Sequence, residues 1–323
     1  MSSAEEGALP ALSGVVVHWR NEEQLQRLVE AWPRDPRFEL VVVDNSASLG
    51  ELPGDLRKVT PEGNQGFSGG VNRGVAAARG PVLLLLNPDV VPREGALPAL
   101  LEGFELHPEA AGLAPRLSGV DPTTGDPAEP QFRWQLRPLP SPWTLLQQTL
   151  LIPAGQGPSA EPPAGSSVAQ PAAAALALRR PVFEELEGFD ESFHPAWFED
   201  VDFARRLADR GGKILYWPAS ELLHELGGSV PGLGYGPFLW VYYRNLQRYL
   251  AKHHGSVWTT LSTLSLVAGM GLRLLLLPLV RPRRARSRGE AARGLLGVAA
   301  GALSGWRLPR VLEGRFARPG GKP

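Results

Sequence analysis

The chain has 323 residues, and its 33 basic and 33 acidic residues give a formal net charge of zero, which indicates no nucleic-acid partner. It contains no cysteine, so disulfides, thiolate metal sites and cysteine nucleophiles are excluded. Residues 1–13 contain acids but no basic segment, so we expect a disordered start rather than a signal peptide.

Short apolar runs alternate with helical patterns through the first third of the chain. We predict strands at residues 15–18, 40–44, 56–59 and 83–86, and helices at 22–32, 69–78 and 95–107. This alternation is typical of a parallel sheet covered by helices on both faces. The sequence therefore predicts an α/β fold with a doubly wound, mostly parallel sheet.

The middle of the chain has a different composition. Residues 121–172 are rich in Pro, Gly, Ala and Ser, and we predict irregular structure there with a short helix near 144–150. Beyond it we predict a strand or buried segment at 173–178, a helix at 199–209, a strand at 213–217 and an amphipathic helix at 238–253. The Gly-rich segment 227–236 is predicted to be a mobile loop that orders over a bound ligand.

Two carboxylates follow predicted strands, where open α/β sheets bind their ligands. Asp89, in the segment Asn87-Pro88-Asp89, is a candidate ligand for Mg²⁺ or Mn²⁺, although an Asp here also suits a helix cap. Asp44 is a candidate acceptor for the imide N–H of a pyrimidine base, although Asp44-Asn45-Ser46 also suits a plain turn.

A Gly-rich stretch, residues 63–74, has the sequence Gly-Asn-Gln-Gly-Phe-Ser-Gly-Gly-Val-Asn-Arg-Gly. Glycines allow a close approach of the backbone, and the start of a helix offers free N–H groups to an anion. A tight turn followed by a closely packed helix would need the same glycines. If the stretch binds an anionic ligand, we expect Asn72 and Arg73 to lie near that ligand.

Neighbouring acids begin the helix predicted at 199–209. They could simply stabilise the helix dipole, or Asp200 could take a proton from an attacking hydroxyl. Like charges at Glu199 and Asp202 would raise one pKa and suit a base that works near neutrality. We predict that these two acids and Trp197 support the base or contact the acceptor, although an aromatic side chain here also suits the core. His224 is either a second metal ligand or a structural histidine.

Five segments in this order resemble the family 2 glycosyltransferases, which are inverting enzymes with the GT-A fold, and in particular their rhamnosyltransferase-like branch, which builds bacterial cell-surface polysaccharides. The likeness covers about residues 15–254. The matching segments are Val-Val-Val-Asp-Asn-Ser at 41–46, the Gly-rich stretch 63–74, Leu-Leu-Asn-Pro-Asp at 85–89, Gly-Phe-Asp-Glu at 188–191 and Phe-His-Pro-Ala-Trp-Phe-Glu-Asp-Val-Asp at 193–202.

The resemblance assigns roles by position. It implies that Asp44 binds the nucleobase, that Asp89 is the last acid of the metal-binding Asp-x-Asp, that Asp200 is the general base and that His224 completes the metal site. The further residues that we expect to contact the nucleotide sugar are His18, Asn72, Arg73, Asn87 and Arg244. The chain departs from the family pattern in two places, with Asn87 at the first acid of Asp-x-Asp and Ala173 at an expected glycine.

The resemblance also implies an organisation and a function. Within it, we expect residues 14–115 to bind the nucleotide sugar and 116–254 to bind the acceptor and carry the base. From composition, we expect 1–13 to be a disordered start and 255–323 to form a membrane-associating helical tail. We expect an inverting transfer, with Mg²⁺ or Mn²⁺, from a nucleotide sugar such as dTDP-rhamnose to a lipid-linked or polysaccharide acceptor. The sequence does not predict the oligomeric state.

The tail contains a strongly apolar stretch, residues 258–280, in which Arg273 is the only charge. Ser262, Ser265, Gly269 and Arg273 recur at helical spacing, and a basic run follows at 281–288. The stretch could lie in the membrane interface, span the bilayer or pack as a soluble helix. Because a polar stripe would give the helix one wettable side, we predict interfacial attachment at the cytoplasmic face of the cell membrane.

Two other functions fit parts of the sequence. A sugar nucleotidyltransferase has a similar sheet, but it needs a basic Gly-rich loop after the first strand, and residues 18–21 contain no glycine. A non-catalytic module at the membrane surface would keep the fold and tolerate the altered segment 168–173. Loss of nucleotide-sugar hydrolysis in an Asp200→Asn variant would separate the enzyme from this module.

Overall fold

The computed structural model describes residues 9–54, 56–121, 124–150, 152–225 and 233–306. Most of the Gly-rich segment 227–236, which we predicted to close over a ligand, lies outside these residues, as do the last 17 residues of the tail.

The described residues form twelve strands and nine helices, together with one 3₁₀ turn at Glu191–Phe193. The strands are β1 (Leu12–His18), β2 (Phe38–Asp44), β3 (Arg57–Val59), β4 (Val82–Leu86), β5 (Val90–Pro92), β6 (Gly112–Val120), β7 (Pro127–Pro130), β8 (Leu136–Arg137), β9 (Ser167–Val168), β10 (Gln170–Pro171), β11 (Ala175–Arg179) and β12 (Ile214–His224). The helices are α1 (Glu22–Ala31), α2 (Gly66–Ala77), α3 (Ala96–Leu106), α4 (Phe132–Gln135), α5 (Pro142–Thr149), α6 (Arg180–Glu185), α7 (Glu199–Asp209), α8 (Tyr235–Leu276) and α9 (Arg288–Ser304).

The central sheet has the strand order β3-β2-β1-β4-β11-β6-β12-β5. Four of these seven neighbouring pairs are parallel, namely β3-β2, β2-β1, β1-β4 and β6-β12. Strand β11 runs antiparallel to both of its neighbours, so the polypeptide reverses direction in the middle of the sheet. The predicted doubly wound, mostly parallel α/β sheet is confirmed.

The strands β1, β2 and β4 of this sheet are buried on both faces, which explains their continuous apolar runs, whereas the edge strand β3 is largely exposed. Every residue of β1, β2 and β4 is buried. Helices α1 and α3 pack on one face, with Leu28 and Leu100 completely buried. Helices α2, α6 and α7 pack on the other face, with Phe203 completely buried.

The structure differs from the predicted elements in several places. Strand β1 begins at Leu12, two residues inside the segment predicted to be disordered. Strand β6 was not predicted, because Gly112, Pro115 and Arg116 interrupt its apolar pattern. Strand β12 continues past Trp217 to His224, after an irregularity in its pairing with β6. The predicted irregular region, 121–172, contains several short strands and helices, of which only α5 was predicted.

A helical layer, formed by α5, α8 and α9, has its own apolar core. Helix α8 is kinked at Gly255, whose φ of 82° and ψ of −179° are not helical. The kink divides α8 into residues 235–254, which border the candidate site, and residues 256–276, which belong to the predicted membrane tail. Helix α9 lies within the predicted helical tail, 255–323, but its bounds were not predicted, because its small residues carry little helical periodicity.

The polar stripe of the tail faces the protein, so our prediction of a wettable side there is wrong. Ser262 is completely buried. Arg273 donates to the carbonyl oxygen of Thr149 at 2.7 Å, and the hydroxyls of Ser265 and Thr149 are 2.5 Å apart. Gly269 allows this close packing, because a Cβ there would lie 2.0 Å from the carbonyl oxygen of Thr149.

Candidate active site

The ends of β1 and β2 bring together His18 and Asp44, which are register neighbours and are both buried. Nε2 of His18 lies 3.2 Å from the hydroxyl of Ser48. The carboxylate of Asp44 accepts from the amides of Ser46 at 3.1 Å and Leu49 at 2.9 Å. Asp44 therefore organises its own turn.

These amide bonds leave Asp44 ionised. Burial acts to raise the pKa of this carboxyl, but the N–H groups of Leu49, Ser48 and Ser46 together outweigh it and lower the pKa. A carboxylate has about four lone-pair positions, and Asp44 uses three of them for the amides of Ser46 and Leu49 and the hydroxyl of Ser46, which leaves one for an N–H from a base. The turn and the predicted nucleobase contact are compatible.

A dipeptide, Ala173-Ala174, connects the end of β4 with the start of α7. The carbonyl oxygen of Ala174 accepts from the amide of Asn87 at 2.9 Å. The amide of Ala173 donates to Oδ2 of Asp200 at 3.3 Å. The two acidic motifs of the sequence, about a hundred residues apart, therefore meet at one edge of the sheet. The altered segment 168–173 lies directly beside them.

Asp200 is half-buried at the beginning of α7. Burial raises its pKa, and the opposing effects of the amides of Ala173 and Val201 and of the Arg137 charge do not cancel that rise. A carboxylate with a raised pKa holds a proton more readily than an ordinary Asp, as a general base requires.

Glu199, the residue before Asp200, is 6% exposed. Its Oε2 has no hydrogen-bond partner among the described residues. Burial and the neighbouring charge of Asp200 raise the pKa of Glu199 well above the usual value of 4.5. Glu199 therefore holds its proton more readily than an exposed glutamate does.

Asp202 does not face the site, so the predicted support of the base or acceptor by this residue is wrong. Its side chain is completely buried and accepts from Arg206 at 2.8 Å, Lys252 at 2.7 Å and His253 at 2.7 Å. Two residues along a helix turn the side chain by about 200°. Asp202 therefore lies on the opposite side of α7 from Asp200, where it ties α7 to α8.

Asp89 and His224 form a buried pair, because β5 and β12 pair between Val90 and His224. Nε2 of His224 lies 3.7 Å from Oδ2 of Asp89. On the other side of the ring, Nδ1 lies 2.8 Å from Oε1 of Gln131, whose amide nitrogen donates to the carbonyl oxygen of His224. If Nδ1 carries the proton, Nε2 keeps its lone pair on the side of Asp89.

This pair fits a divalent cation. Burial lowers the pKa of His224 against the opposing charge of Asp89, which favours the neutral imidazole that binds metals. The described residues contain no cluster of three or more His, Asp or Glu side chains able to hold a metal. Asp89 and His224 would supply two ligands to such a cation, and the remaining positions would fall to diphosphate oxygens and water, as is common for Mg²⁺.

The loop before α7 is held by two residues of α8. Trp197 and Phe198 both have left-handed backbone conformations, with φ of 72° and 74°. The buried amide of Asn245 donates to the carbonyl oxygens of Phe193, Ala196 and Trp197, at 2.7, 2.8 and 3.0 Å. Arg244 donates to Oδ1 of Asn245 at 3.1 Å and also to the carbonyl oxygen of His194. Because left-handed conformations are costly for bulky residues, these bonds are needed to fix the entry into α7.

The side chains of Trp197 and Arg244 thus both make contacts within the protein. The indole of Trp197 packs edge-on against Phe238, with ring centroids 5.0 Å apart, as the core interpretation expects. The predicted contact of Arg244 with the diphosphate stays a prediction.

Asn72 and Arg73 connect α2 to the segment 188–191. The side chain of Asn72 exchanges two hydrogen bonds with the backbone of Phe189, at 2.8 and 2.9 Å. Nη1 of Arg73 lies 3.1 Å from the carboxylate of Glu191. These contacts give both residues a structural role, and their contact with a donor stays a prediction.

The start of α2 does reach the site. The amide of Phe67 donates to the carbonyl oxygen of Pro195 at 2.7 Å, and Asn45 donates to that of Gly66 at 2.8 Å. A Cβ at Gly66, whose φ is +69°, would lie 2.7 Å from the oxygen of Pro195. The Gly-rich stretch is therefore needed for packing against the loop before α7.

Sequence reasoning missed Gln131 and Asn245. Gln131 lies in the region read as irregular, and no local pattern indicates it. Asn245 had a signal, because it occupies an apolar position between Val241 and Tyr249 at a spacing of four residues. A polar residue there must find hydrogen-bond partners inside the protein.

Residues 14–155 match the family model described as Glycosyl transferase family 2. The match covers just under half of the chain. The matched range runs from within β1 to just beyond α5. It contains the candidate positions His18, Asp44 and Asp89, whereas Asp200 and His224 lie beyond it.

The chain is also similar to two proteins of Mycobacterium tuberculosis. It is 27% identical to an N-acetylglucosaminyl-diphospho-decaprenol L-rhamnosyltransferase over 215 residues, which cover 64% of this chain and 66% of that protein, just under two thirds. It is 30% identical to a pre-mycofactocin glycosyltransferase over 154 residues, covering 48% of this chain and 29% of that protein.

Among solved structures, the chain is similar to that of GalNAc-T7 with UDP, GalNAc and Mn²⁺. The TM-score is 0.54 and the sequence identity 15%, over 94% of this chain and 59% of that chain. At this identity, the likeness shows the fold alone, and it agrees with the predicted GT-A arrangement.

Proposed function

We propose that the protein is an inverting, metal-dependent glycosyltransferase that moves a sugar from a nucleotide donor to an acceptor hydroxyl. The observation that carries this proposal is the connection of Asn87 and Asp200 through Ala173-Ala174. It joins the strand end beside the Asp89–His224 pair to a carboxylate of raised pKa. The family 2 match supports the same reaction class.

In this reaction Asp200 takes the proton of the acceptor hydroxyl. The hydroxyl oxygen forms a bond to the anomeric carbon of the donor while the bond from that carbon to the diphosphate oxygen breaks, so the configuration inverts. A divalent cation on Asp89 and His224 would neutralise the charge that develops on the departing nucleoside diphosphate. Gln131 orients His224, and Asn245 orients the loop that leads into Asp200.

The finer proposals concern the substrates. We propose a dTDP-rhamnose-like donor and a polyprenyl-diphosphate-linked acceptor, because the mycobacterial relative is named as a rhamnosyltransferase acting on N-acetylglucosaminyl-diphospho-decaprenol. The product would then enter cell-envelope glycan synthesis. A peripheral position at the cytoplasmic membrane face would bring the site to such an acceptor. We expect His18 and Asp44 to lie beside the nucleobase.

A binding experiment tests the donor and metal together. We would measure the melting temperature of the full chain with a panel of nucleotide sugars, in Mn²⁺, in Mg²⁺ and in chelator. At least one donor should stabilise the protein with metal, and chelator should reduce the effect. Asp89→Ala should abolish the metal-dependent part, whereas Glu109→Ala, an exposed acid far from the strand ends, should not. Equal donor affinity with and without chelator would overturn the metal site.

A further inference from the structure

The second part of α8 exposes a continuous apolar face. Val257, Leu261, Leu264, Leu272 and Leu275 are 69, 43, 61, 42 and 77% exposed. With the exposed Ala268, these positions recur every three or four residues, so they share one side of the helix. From 257 to 275 the stripe is about 27 Å long, at about 1.5 Å per residue.

The arrangement is the reverse of an ordinary surface helix. The polar stripe, Ser262, Ser265, Gly269 and Arg273, packs inward on α5, and the leucines point away from the protein. Soluble proteins rarely expose apolar patches of this extent unless another surface covers them. Beyond the helix, Leu279 and Val280 are 79 and 68% exposed and lengthen the patch.

A concentrated positive charge adjoins the apolar stripe. Residues 281–288 contain five arginines, and no Asp or Glu occurs between residues 251 and 289. All five arginines are exposed. The face therefore combines an apolar stripe with a basic end, which is the pattern of helices that lie at the boundary of headgroups and acyl chains in anionic membranes.

We propose that the stripe from Val257 to Val280 docks on an anionic lipid bilayer, with residues 256–276 parallel to the membrane plane and the five arginines among the headgroups. This inference deepens the proposed function, on which it rests for the lipid-linked acceptor. It corrects the predicted surroundings of the polar stripe, which packs on α5 instead of facing water.

The contacts of α8 argue for this docking over two other arrangements. Among the described residues, α8 is the one helix long and apolar enough to cross a membrane by length and composition. Crossing would separate Arg273 from its bonds to Thr149, Gln148 and Tyr243. A second copy of the chain offers no acid in 251–289 to pair with the arginines, whereas anionic lipid offers a dense negative surface.

Vesicle flotation of the full chain tests the proposal. We expect the protein to float with vesicles of phosphatidylcholine and phosphatidylglycerol, and at least tenfold less with phosphatidylcholine alone. A triple variant, Leu261→Asn, Leu264→Asn and Leu275→Asn, should lose binding at least tenfold. The control, Leu9→Asn with Leu106→Asn, changes leucines that are 71 and 59% exposed elsewhere and should bind within twofold of the wild type.

Three further results decide the outcome. A second triple variant combines Arg281→Gln, Arg283→Gln and Arg286→Gln. It should bind anionic vesicles more weakly than the wild type, and its binding should depend less on salt concentration. Carbonate at high pH should release the protein, and retention would show a spanning helix and overturn the proposal. If the leucine variant bound vesicles as well as the wild type does, the proposal would be overturned. It would also be overturned if the wild type were a dimer in solution and the leucine substitutions, but not the control substitutions, made it monomeric. If docking holds but no donor stabilises the protein, the proposed function fails while the membrane surface stands.

Discussion

Asp200 and Asp202 lie two residues apart on the same helix, yet their surroundings are opposite. Asp200 meets two backbone amides, and burial raises its pKa. Asp202 meets two cations, Arg206 and Lys252, and the imidazole of His253. Although burial acts to raise the pKa of Asp202, the hydrogen bonds from His253 and Lys252 and the charge of Arg206 lower it. The first can exchange a proton, whereas the second is held as a permanent anion.

The difference comes from what lies across each face of α7. One face meets the end of β4 through Ala173-Ala174, where the charge of Arg137 lowers the pKa of Asp200 without cancelling the rise from burial. The other meets residues 252–253 of α8, where Lys252 also bonds to Asp190 at 2.7 Å. An acidic cluster in a sequence therefore does not have one role, since the partner elements assign a separate role to each residue.

The largest effect is expected for Asp200→Asn, which keeps the shape and removes the basicity. Turnover of nucleotide sugar and acceptor should fall by roughly 10²–10⁴, the usual contribution of a general base. Donor affinity, measured by the melting-temperature shift, should stay close to that of the wild type. The matched control is Asp209→Asn on the exposed end of the same helix, which should turn over nearly as fast as the wild type. Wild-type turnover by Asp200→Asn would remove this residue from the mechanism.

Asp202→Asn should act on stability instead. Removing one partner of a buried ion cluster leaves the cations uncompensated and typically costs about 3–5 kcal/mol. Urea denaturation of this variant should show that loss, with a much smaller effect on turnover than Asp200→Asn has. Asp209→Asn should change stability far less, because its pair with Arg205 is exposed. If Asp202→Asn were as stable as the wild type but had lost turnover, Asp202 would have a catalytic and not a structural role.

Asn245→Ala should loosen the loop before α7 and so make the position of Asp200 less well defined. Three carbonyl oxygens would lose their donor, and we expect turnover to fall by about tenfold, which corresponds to about 1.4 kcal/mol, within the usual cost of unsatisfied buried groups. Because Asn245 acts by positioning Asp200, kcat should fall while KM for the donor stays nearly constant. A fall in stability with unchanged kcat would give Asn245 a purely structural role.

The smallest effect concerns the pH dependence of stability at Glu199. Its pKa in the folded protein is raised above the usual 4.5, so the group favours folding in its protonated form. Wild-type stability should therefore fall as pH rises from about 4.5 towards the raised pKa. Glu199→Gln removes this loss, so its melting temperature should exceed that of the wild type by more at pH 7 than at pH 4. An equal difference at both pH values would contradict the raised pKa.

Much of this arrangement followed from the sequence, because strand ends carry local signals. The apolar runs before Asp44 and Asp89 predicted the ends of two strands, which lie on either side of β1. The acidic pair predicted the start of α7 at Glu199. The roles of Asp202 and of the tail could not be read in this way. Both depend on α8 and α5, which contact them across 50 to 125 residues of sequence.

The tail shows why the pattern alone was ambiguous. Ser262 and Arg273 mark one face as polar, and the usual inference is that a polar face meets water. Here the carbonyl oxygens at the end of α5 satisfy Arg273, so the leucines meet the outside. The hydropathy pattern predicts that residues 256–276 of α8 form a helix with one polar and one apolar face. Which face is buried depends on the neighbouring helix, α5.

The most direct test of the central claim is the anomeric configuration of a transferred sugar. The full chain would be incubated with dTDP-rhamnose, Mn²⁺ and a short polyprenyl-diphosphate N-acetylglucosamine, and the product analysed by proton NMR. The account predicts a disaccharide whose new linkage has the configuration opposite to that of the donor, formed by the wild type and nearly absent with Asp200→Asn. A product that retains the donor configuration, or one formed equally by Asp200→Asn, would contradict it.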